Sequence, residues 1–325
     1  MAKRVMSGAA DDAQLPPAIF LMGPTASGKT AVALELSKHL PVEIISVDSA
    51  QVYRRMDIGT AKPDVSTRLQ HPHHLIDIID PTESYSAAQF RDDVIVLMAD
   101  IVERGRTPLL VGGTMLYFKA LREGLSDLPA ADEATRHVIE MMARDAGWPA
   151  LHAELERIDP QAAERIDAND VQRIQRALEV HYLTGKTLSE LIAEGPQQSL
   201  PYRLTEIALL PSDRARLHER IATRFEEMLE LGLLSEVREL RNEFSLTADM
   251  PSMRCVGYRQ VWQYLDGEFG LSTLREKGVA ATRQLAKRQL TWLRGMQGLM
   301  EFDCLLDDLP ERVHQDLAAR LTTSG

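Results

Sequence analysis

The sequence lacks several features that would assign it to a special class of protein. No apolar run approaches the ~20 residues that a transmembrane helix requires, and residues 1–17 have no apolar segment like that of a signal peptide. The two cysteines, Cys255 and Cys304, form no CxxC pair that would suggest a thiolate zinc site. Internal repeats and low-complexity tracts are also absent. We therefore expect a globular, monomeric protein of the reducing cytoplasm, with no membrane association and a disordered leader at 1–17.

Positive charge is scarce overall but unevenly distributed. The chain has 37 Lys and Arg against 48 Asp and Glu, a net charge of −11, which by itself argues against a nucleic-acid partner. Residues 250–298 nevertheless contain eight Lys or Arg and three acids, a local net charge of +5. A basic segment of this kind is what binding to a phosphate backbone needs, whatever the total charge.

The sequence does contain a complete phosphate-binding loop. The apolar run Ile19–Met22 leads into G-x-x-x-x-G-K-T, and helix-forming residues follow, which is the strand–loop–helix context of this motif. Its backbone N–H groups and the helix N-terminus behind them bind oligophosphate oxygens. Lys29 is expected at the outer phosphate and the Thr30 hydroxyl at a magnesium ion. The candidate phosphate-binding residues are Gly23, Pro24, Thr25, Ala26, Ser27, Gly28, Lys29 and Thr30.

Apolar segments with strand character alternate with helical ones beyond this loop. Residues 42–47, 108–111 and 204–210 read as buried strands, and 86–103 has apolar residues at helical spacing. This alternation predicts an α/β fold, a P-loop NTPase-like parallel sheet flanked by helices.

Residues 127–201 contain helix formers and breakers but no convincing strand, which predicts an all-helical insertion domain. Further helices are expected from Ser212 to Gly232 and from Thr282 to Leu293. The predicted organisation is a leader at 1–17, a catalytic core at 18–124 and 202–310, the insertion at 125–201 and a tail at 311–325.

A carboxylate follows the predicted strand at 42–47. Asp48 stands at the carboxyl end of that strand, where open α/β sheets place their ligands. The strand at 108–111 instead runs into Gly112-Gly113-Thr114 without an acid, which does not favour a motor-type ATPase. Asp48 is therefore the acid expected near the phosphates, where it either orders magnesium or acts as a base toward an acceptor.

Six motifs follow one another between Ile19 and Gly298. They are Gly23–Thr30, Asp48–Tyr53, Gly59–Pro63, Gly112–Tyr117, Arg254–Arg259 and Thr282–Trp292. In this order they resemble the bacterial tRNA dimethylallyltransferases (tRNA isopentenyltransferases). The resemblance implies transfer of a dimethylallyl group from dimethylallyl diphosphate to the exocyclic N6 amine of adenine at tRNA position 37, next to the anticodon, with Mg²⁺ at the phosphates.

The residues suit this reaction. Lys29 and the loop amides would stabilise the departing diphosphate, and Asp48 would accept the proton of the adenine amine, as the resemblance also implies. Thr114 resembles the family's contact to the target base; the alternative is that Gly112–Gly113 is simply a strand-to-helix turn. Arg224 is either a second diphosphate ligand or a helix-surface arginine.

Three stretches are candidates to hold the anticodon loop: Gln172–Arg176, Arg254–Arg259 with Tyr258 as a stacking platform, and Lys287–Arg294 with Trp292. Each alone is more typical of a solvated charged helix face. Together with the basic segment and the resemblance they favour RNA contact, and Arg136 matches a family RNA-contact position. The candidate tRNA-binding residues are Asp48, Ser49, Ala50, Gln51, Thr114, Arg136, Gln172, Arg173, Ile174, Gln175, Arg176, Arg254, Cys255, Val256, Gly257, Tyr258, Arg259, Lys287, Arg288, Trp292 and Arg294.

Two other functions use the same motifs. A small-molecule kinase would bind ATP at the loop and use the insertion as a lid, with Arg136, Arg173 or Arg176 on the phosphoryl group. A non-enzymatic RNA-binding protein would bind without turnover.

Overall fold

The computed structural model describes residues 15–195 and 200–323. Most of the leader predicted at 1–17 lies outside the described residues, and Pro17 already begins the first strand. The chain divides into two compact units, one of which is Lys119–Leu200 and the other the rest of the chain.

The larger unit is built on a parallel sheet. Along the chain its strands are β1 (Pro17–Met22), β2 (Val42–Val47), β3 (His73–His74), β4 (Thr107–Gly112), β5 (Arg203–Leu210) and β6 (Met300–Asp303). Within the described residues they form one sheet in the order β3-β2-β4-β1-β5-β6, and neighbouring strands run parallel. The predicted fold class is confirmed. The short strands β3 and β6 are not predicted by the sequence because they offer no run of apolar residues to detect.

Helices flank the sheet and make up the inserted unit. Those before and at the insertion are α1 (Lys29–His39), α2 (Val65–Gln70), α3 (Ala87–Glu103) and α4 (Met115–Glu123). The insertion contains α5 (Glu133–Ala146), α6 (Trp148–Ile158), α7 (Pro160–Arg165), α8 (Val171–Thr184) and α9 (Leu188–Ala193). After it come α10 (Arg214–Glu230), α11 (Leu233–Glu243), α12 (Tyr258–Leu265), α13 (Leu271–Arg294) and α14 (Leu309–Thr323).

The middle of the sheet is buried on both faces. All six residues of β2 are buried, and so are five of the six in β1. Such strands read as continuous apolar runs because a parallel sheet is covered on both sides. Since β1, β2 and β4 run in the same direction, the segments that follow them emerge at one edge of the sheet, and the candidate site forms there.

The predicted tail at 311–325 is wrong over the residues that the structure describes. α14 extends to Thr323, and its Leu309, Val313 and Leu317 are buried in the same apolar cluster as Leu36 of α1. These three leucine and valine positions recur every fourth residue, so they form one face of a helix. Burying that face makes the segment part of the core.

The inserted unit has its own core and starts six residues before the predicted boundary at 125. Ile139, Leu155 and Leu178 are among the buried side chains that its helices share. The described part of the insertion is helical, as the sequence predicts. The observed boundary lies between Phe118 and Lys119, inside the continuous helix α4, whereas the predicted boundary lies just after that helix.

The loop that contains the Gly59–Pro63 motif is fixed by a carboxylate on α11. Glu236 accepts hydrogen bonds from the backbone N–H groups of Asp57 at 3.0 Å, Ile58 at 2.7 Å and Gly59 at 3.3 Å. The Tyr258 hydroxyl donates a fourth, at 2.6 Å. A Cβ at Gly59 would lie 2.5 Å from the Tyr258 ring, so the close packing of this motif requires glycine.

Among the residues that the structure describes, no helix combines the length and the apolar character needed to cross a membrane.

Replacing Glu236 by alanine should destabilise the larger unit. The change leaves three backbone donors without their carboxylate, so we expect the free energy of unfolding to fall by about 2–4 kcal/mol. Urea denaturation measures this change. The matched control is Glu239→Ala on the same helix, whose side chain is 67% exposed and whose loss should cost about 0.5 kcal/mol or less. Equal effects of the two variants would contradict the role given to Glu236.

Candidate active site

The loop between β1 and α1 has the backbone of an anion-binding turn. Ala26 and Gly28 adopt left-handed conformations, with φ of 63° and 81°, and alternation of this kind turns successive N–H groups inward. The N-cap residue of α1 is Gly28, which has no side chain to satisfy the first N–H groups of the helix. Those groups are left to an external acceptor, so this helix start can bind an anion.

Lys29 lies under the loop as its main cation. Its Nζ donates to the carbonyl oxygens of Gly23 at 2.9 Å and Pro24 at 2.7 Å. Loss of hydration, followed by the positive charge of Arg224, lowers the pKa of Lys29 to about 8, against a smaller opposing effect of Asp48. Burial likewise lowers the pKa of Arg224 below its usual value. Two cations that are partly withdrawn from water next to each other form a site that favours a multiply charged anion.

Asp48 and Thr114 meet at the carboxyl ends of neighbouring strands. The Thr114 hydroxyl oxygen accepts from the Ser49 N–H at 3.1 Å, and the Asp48 carboxylate accepts from the Ala50 N–H at 2.9 Å. The Thr114 N–H donates to the Val47 carbonyl oxygen at 3.2 Å. These bonds fix the two side chains on one rim, beside the phosphate loop.

A cavity of about 1200 Å³ joins the loop to this rim. Most of the candidate residues in the larger unit line it. They are Thr25, Ala26, Ser27, Gly28, Lys29, Thr30, Asp48, Ser49, Ala50, Gln51, Thr114, Arg224, Arg254, Cys255, Val256, Gly257, Arg288 and Trp292. Arg259, Lys287 and Arg294 are exposed but do not line it.

Two of the residues predicted to contact RNA are buried in the structure, and the prediction is wrong for them. Tyr258 is 0% exposed and bonded to Glu236, so its ring cannot stack on a base. Ile174 is also 0% exposed, within the core of the insertion. Both lie in motifs that contain two arginines, and sequence pattern alone does not separate the buried side chain from its exposed neighbours.

Within the insertion, the basic residues are largely engaged with acids. Arg136 and Arg176 both bind Glu179, at 2.8 and 2.7 Å, and the Glu179 side chain is completely buried. These two cations keep the pKa of Glu179 below its usual value despite burial. Arg173 lies 3.3 Å from Asp170 and remains 70% exposed, and Gln175 donates to Glu140 at 3.2 Å. Of this group, Arg173 is the most available to an outside partner.

Several cavity residues are absent from the sequence-based site. One is Gln289, a buried polar residue on α13 among the buried Ala286, Leu290 and Leu293. A polar residue within an apolar helix stripe is the signal that would have identified it. Another group is on α10 and includes Arg216, Glu219 and Arg220, which are typical of any charged helix surface.

Magnesium would find suitable ligands at the loop. The Thr30 hydroxyl and the Asp48 carboxylate line the same cavity, and both are oxygen donors of the kind that Mg²⁺ prefers. In the part of the chain that the structure describes, no group of three His, Cys, Asp or Glu is placed to hold a metal ion. Mg²⁺ fits this arrangement because it commonly binds one or two protein oxygens together with substrate phosphates.

Comparisons with known proteins agree over nearly the whole chain. A family model described as IPP transferase matches residues 51–296, and one described as isopentenyl transferase matches 17–75. A tRNA dimethylallyltransferase of Nitrosomonas eutropha is 61% identical over 302 residues, which are 93% of this chain and 95% of that protein.

Solved structures give the same result. The tRNA isopentenylpyrophosphate transferase of Bacillus halodurans is 40% identical, with a TM-score of 0.68 over 95% of this chain and 97% of the other. A eukaryotic dimethylallyltransferase, described in crystallographic snapshots of its action on tRNA, is 26% identical, with a TM-score of 0.76 over 94% of this chain and 77% of the other.

The affinity of the loop for diphosphate should depend on the protonation of Lys29. Because the pKa of Lys29 is lowered to about 8 in the empty site, the ammonium is lost as the pH rises through that value. A diphosphate binds the charged form, so the affinity should be greatest below this pH and fall by up to about tenfold per pH unit above it. Calorimetric titration with inorganic diphosphate measures the slope.

The control for this measurement is Lys29→Arg. The guanidinium stays charged. In that variant, therefore, only the titration of diphosphate itself changes the affinity with pH. The same slope in both proteins would show that Lys29 does not bind the anion in its charged form.

Proposed function

The chain belongs to the IPP transferase family, and from this premise we propose how its residues carry out dimethylallyl transfer to tRNA. The donor is dimethylallyl diphosphate and the acceptor is the N6 amine of adenine at position 37, next to the anticodon. One observation carries the proposal: the phosphate loop, Asp48 and Thr114 share one cavity with the exposed cations Arg254 and Arg288. A donor anion and an RNA base can therefore meet at one point.

The loop holds the leaving group of the reaction. As the allylic C–O bond breaks, the diphosphate gains negative charge, and the loop amides, Lys29 and Arg224 stabilise that charge. Mg²⁺ held by Thr30 would supply further charge neutralisation on the phosphate oxygens when bound. Because these groups are fixed before the donor arrives, they do not have to reorganise during the reaction.

Asp48 acts on the acceptor. The lone pair of the adenine amine is delocalised into the ring, so the amine is a weak nucleophile until its proton is removed. As the N6–C bond forms, the N6 proton passes to the Asp48 carboxylate, and diphosphate leaves from the other side of the reacting carbon. A positioned base of this kind contributes roughly 10²–10⁴-fold to the rate. Thr114, on the neighbouring strand end, lies where it can contact the same base.

The target adenine has to leave its stack before it reaches Asp48. Single-stranded loop bases are the usual targets of sequence-specific RNA recognition, and unstacking one costs a few kcal/mol. Arg254 and Arg288 at the cavity, with Lys287 and Arg294 exposed on the same helix as Arg288, offer charges for the phosphates around it. The aromatic platform is assigned to Trp292, which is 42% exposed, rather than to the buried Tyr258.

The kinase alternative has less support. It needs arginines of the insertion to act on a phosphoryl group, but two of its three candidates, Arg136 and Arg176, already neutralise the buried Glu179. Removing either from that carboxylate would leave a buried charge incompletely paired, which is costly. Of the three, this leaves the exposed Arg173 for that role.

Asp48→Asn should separate catalysis from binding. The protein is incubated with labelled dimethylallyl diphosphate and tRNA, and the tRNA nucleosides are then analysed by mass. The wild-type chain should produce N6-dimethylallyladenosine, and the variant should lose about 10²–10⁴-fold in turnover with tRNA affinity nearly unchanged.

Each other outcome has a definite meaning. Absence of transfer by the wild-type chain, together with ATP turnover on a small molecule, would support the kinase. Equal losses of turnover and of tRNA binding in Asp48→Asn would make Asp48 a structural residue.

The basic residues of α13 should set the salt dependence of tRNA binding. Removing one phosphate contact by Arg288→Ala or Lys287→Ala should weaken binding and reduce the slope of log K against log salt by about one. Filter binding over a salt series measures both quantities. Lys38→Ala is the control, since this exposed lysine of α1 lies outside the candidate site. An unchanged slope in the α13 variants would place these residues away from the RNA.

A further inference from the structure

The side chain of Gln289 connects two parts of the candidate site that are far apart in sequence. Its Oε1 accepts a hydrogen bond from the Thr25 N–H in the phosphate loop at 2.9 Å. Its Nε2 donates to the Gly113 carbonyl oxygen, also at 2.9 Å and fully buried. Gln289 itself is 8% exposed.

The chemistry of the two partners fixes the orientation of this amide. A backbone N–H can only donate and a carbonyl oxygen can only accept, so the oxygen must face Thr25 and the nitrogen must face Gly113. The reversed amide would place two donors together at one end and two acceptors at the other. Both bonds therefore depend on a side chain at position 289 that carries a donor as well as an acceptor, as this amide does.

The Gly-Gly turn is shaped to admit this side chain. A Cβ at Gly113 would lie 2.3 Å from Nε2 of Gln289, and a Cβ at Gly112 would lie 2.0 Å from the Val47 carbonyl oxygen. Real Cβ atoms do not approach other atoms so closely. A side chain at position 112 is therefore excluded by the backbone of β2, and one at position 113 would displace the amide of Gln289. The turn is thus in contact with β2 on one side and with α13 on the other.

The two bonded groups are next to the reacting parts. Thr25 belongs to the loop that binds the leaving group, and Gly113 precedes Thr114, which is bonded to the residue after Asp48. The Thr25 N–H is already used by Gln289, so this part of the loop is held from α13. One side chain therefore links the position of the donor to that of the acceptor.

We propose that Gln289 is a positioning residue that sets the spacing between the diphosphate loop and the acceptor rim formed by Asp48 and Thr114. The inference rests on the proposed transfer reaction. Bond formation between donor and acceptor depends steeply on their alignment, and a misplacement of about 1 Å can cost about 10²-fold in rate. Loss of this link should therefore lower kcat, while the loop amides and Lys29 continue to bind the diphosphate.

Two substitutions test the proposal. Gln289→Met keeps the approximate volume but removes both hydrogen bonds, and it should lower kcat by about 10–100-fold with less than about threefold change in affinity for inorganic diphosphate. Gln289→Glu keeps the acceptor for Thr25 but donates to Gly113 only when its carboxyl is protonated. Burial should raise the pKa of that carboxyl above its ordinary value of about 4.3.

The decisive measurement is therefore the pH dependence of kcat relative to the wild-type chain. The ratio for Gln289→Glu should rise as the pH falls, because protonation restores the second bond, whereas the ratio for Gln289→Met should stay constant. Dividing by the wild-type value removes any pH dependence that is common to all three proteins. Gln315→Met, an exposed glutamine of α14, controls for the substitution itself.

The outcomes separate this inference from the proposed function. No transfer by the wild-type chain would refute the function. Transfer by the wild-type chain with kcat of Gln289→Met within about twofold of it would show that Gln289 only fills space, and would overturn the inference. Should Gln289→Met fail to fold, the pH ratio of Gln289→Glu decides alone, and a constant ratio would overturn the proposal.

Discussion

The site depends on how closely the backbones of β2 and β4 approach each other at their carboxyl ends. Residue Val47 pairs with Gly112 in the parallel register, and the absence of a side chain at Gly112 lets the next two residues turn across the end of β2. Asp48 and Thr114 are consequently neighbours on one rim although 66 positions separate them in sequence. Because β1 lies next to β4 in the sheet, the same edge also presents the phosphate loop.

Charge within the cavity follows from this geometry. The carboxylate of Asp48 partly opposes the lowering of the pKa of both Lys29 and Arg224 by burial. A site with two poorly hydrated cations and one acid carries an excess of positive charge that a diphosphate can compensate.

The parts of the protein that could be predicted from sequence are those encoded by neighbouring residues. The phosphate loop, the buried strands and the helix over 86–103 all depend on residues within a few positions of each other. In the structure that helix begins after Ser86, whose side chain accepts from the Gln89 N–H. The parts that could not be predicted depend on distant partners. Glu236 is 179 residues from Asp57, and Gln289 is 264 residues from Thr25.

The sequence also did not reveal which individual polar or aromatic residues are buried. Tyr258 is in a motif between two arginines, and its neighbours gave no indication that it packs against Gly59. The apolar face of α14 is visible as Leu309, Val313 and Leu317, yet the acidic residues between them are typical of a solvated tail. In both cases a tertiary contact buries residues that the local composition predicts to be exposed.

The central place of β1 in the sheet has a consequence for synthesis of the chain. Its two partners are made much later, since Leu109 pairs with Ile19 and Arg203 pairs with Pro17, 186 residues further along. At about 5–20 residues per second, a ribosome needs roughly 10–40 s to deliver β5 after β1. For that time the most apolar strand of the protein has an unpaired edge, a state prone to incorrect strand pairing. The strand that leads into the phosphate loop is thus also the one most in need of protection by chaperones while the chain is being made.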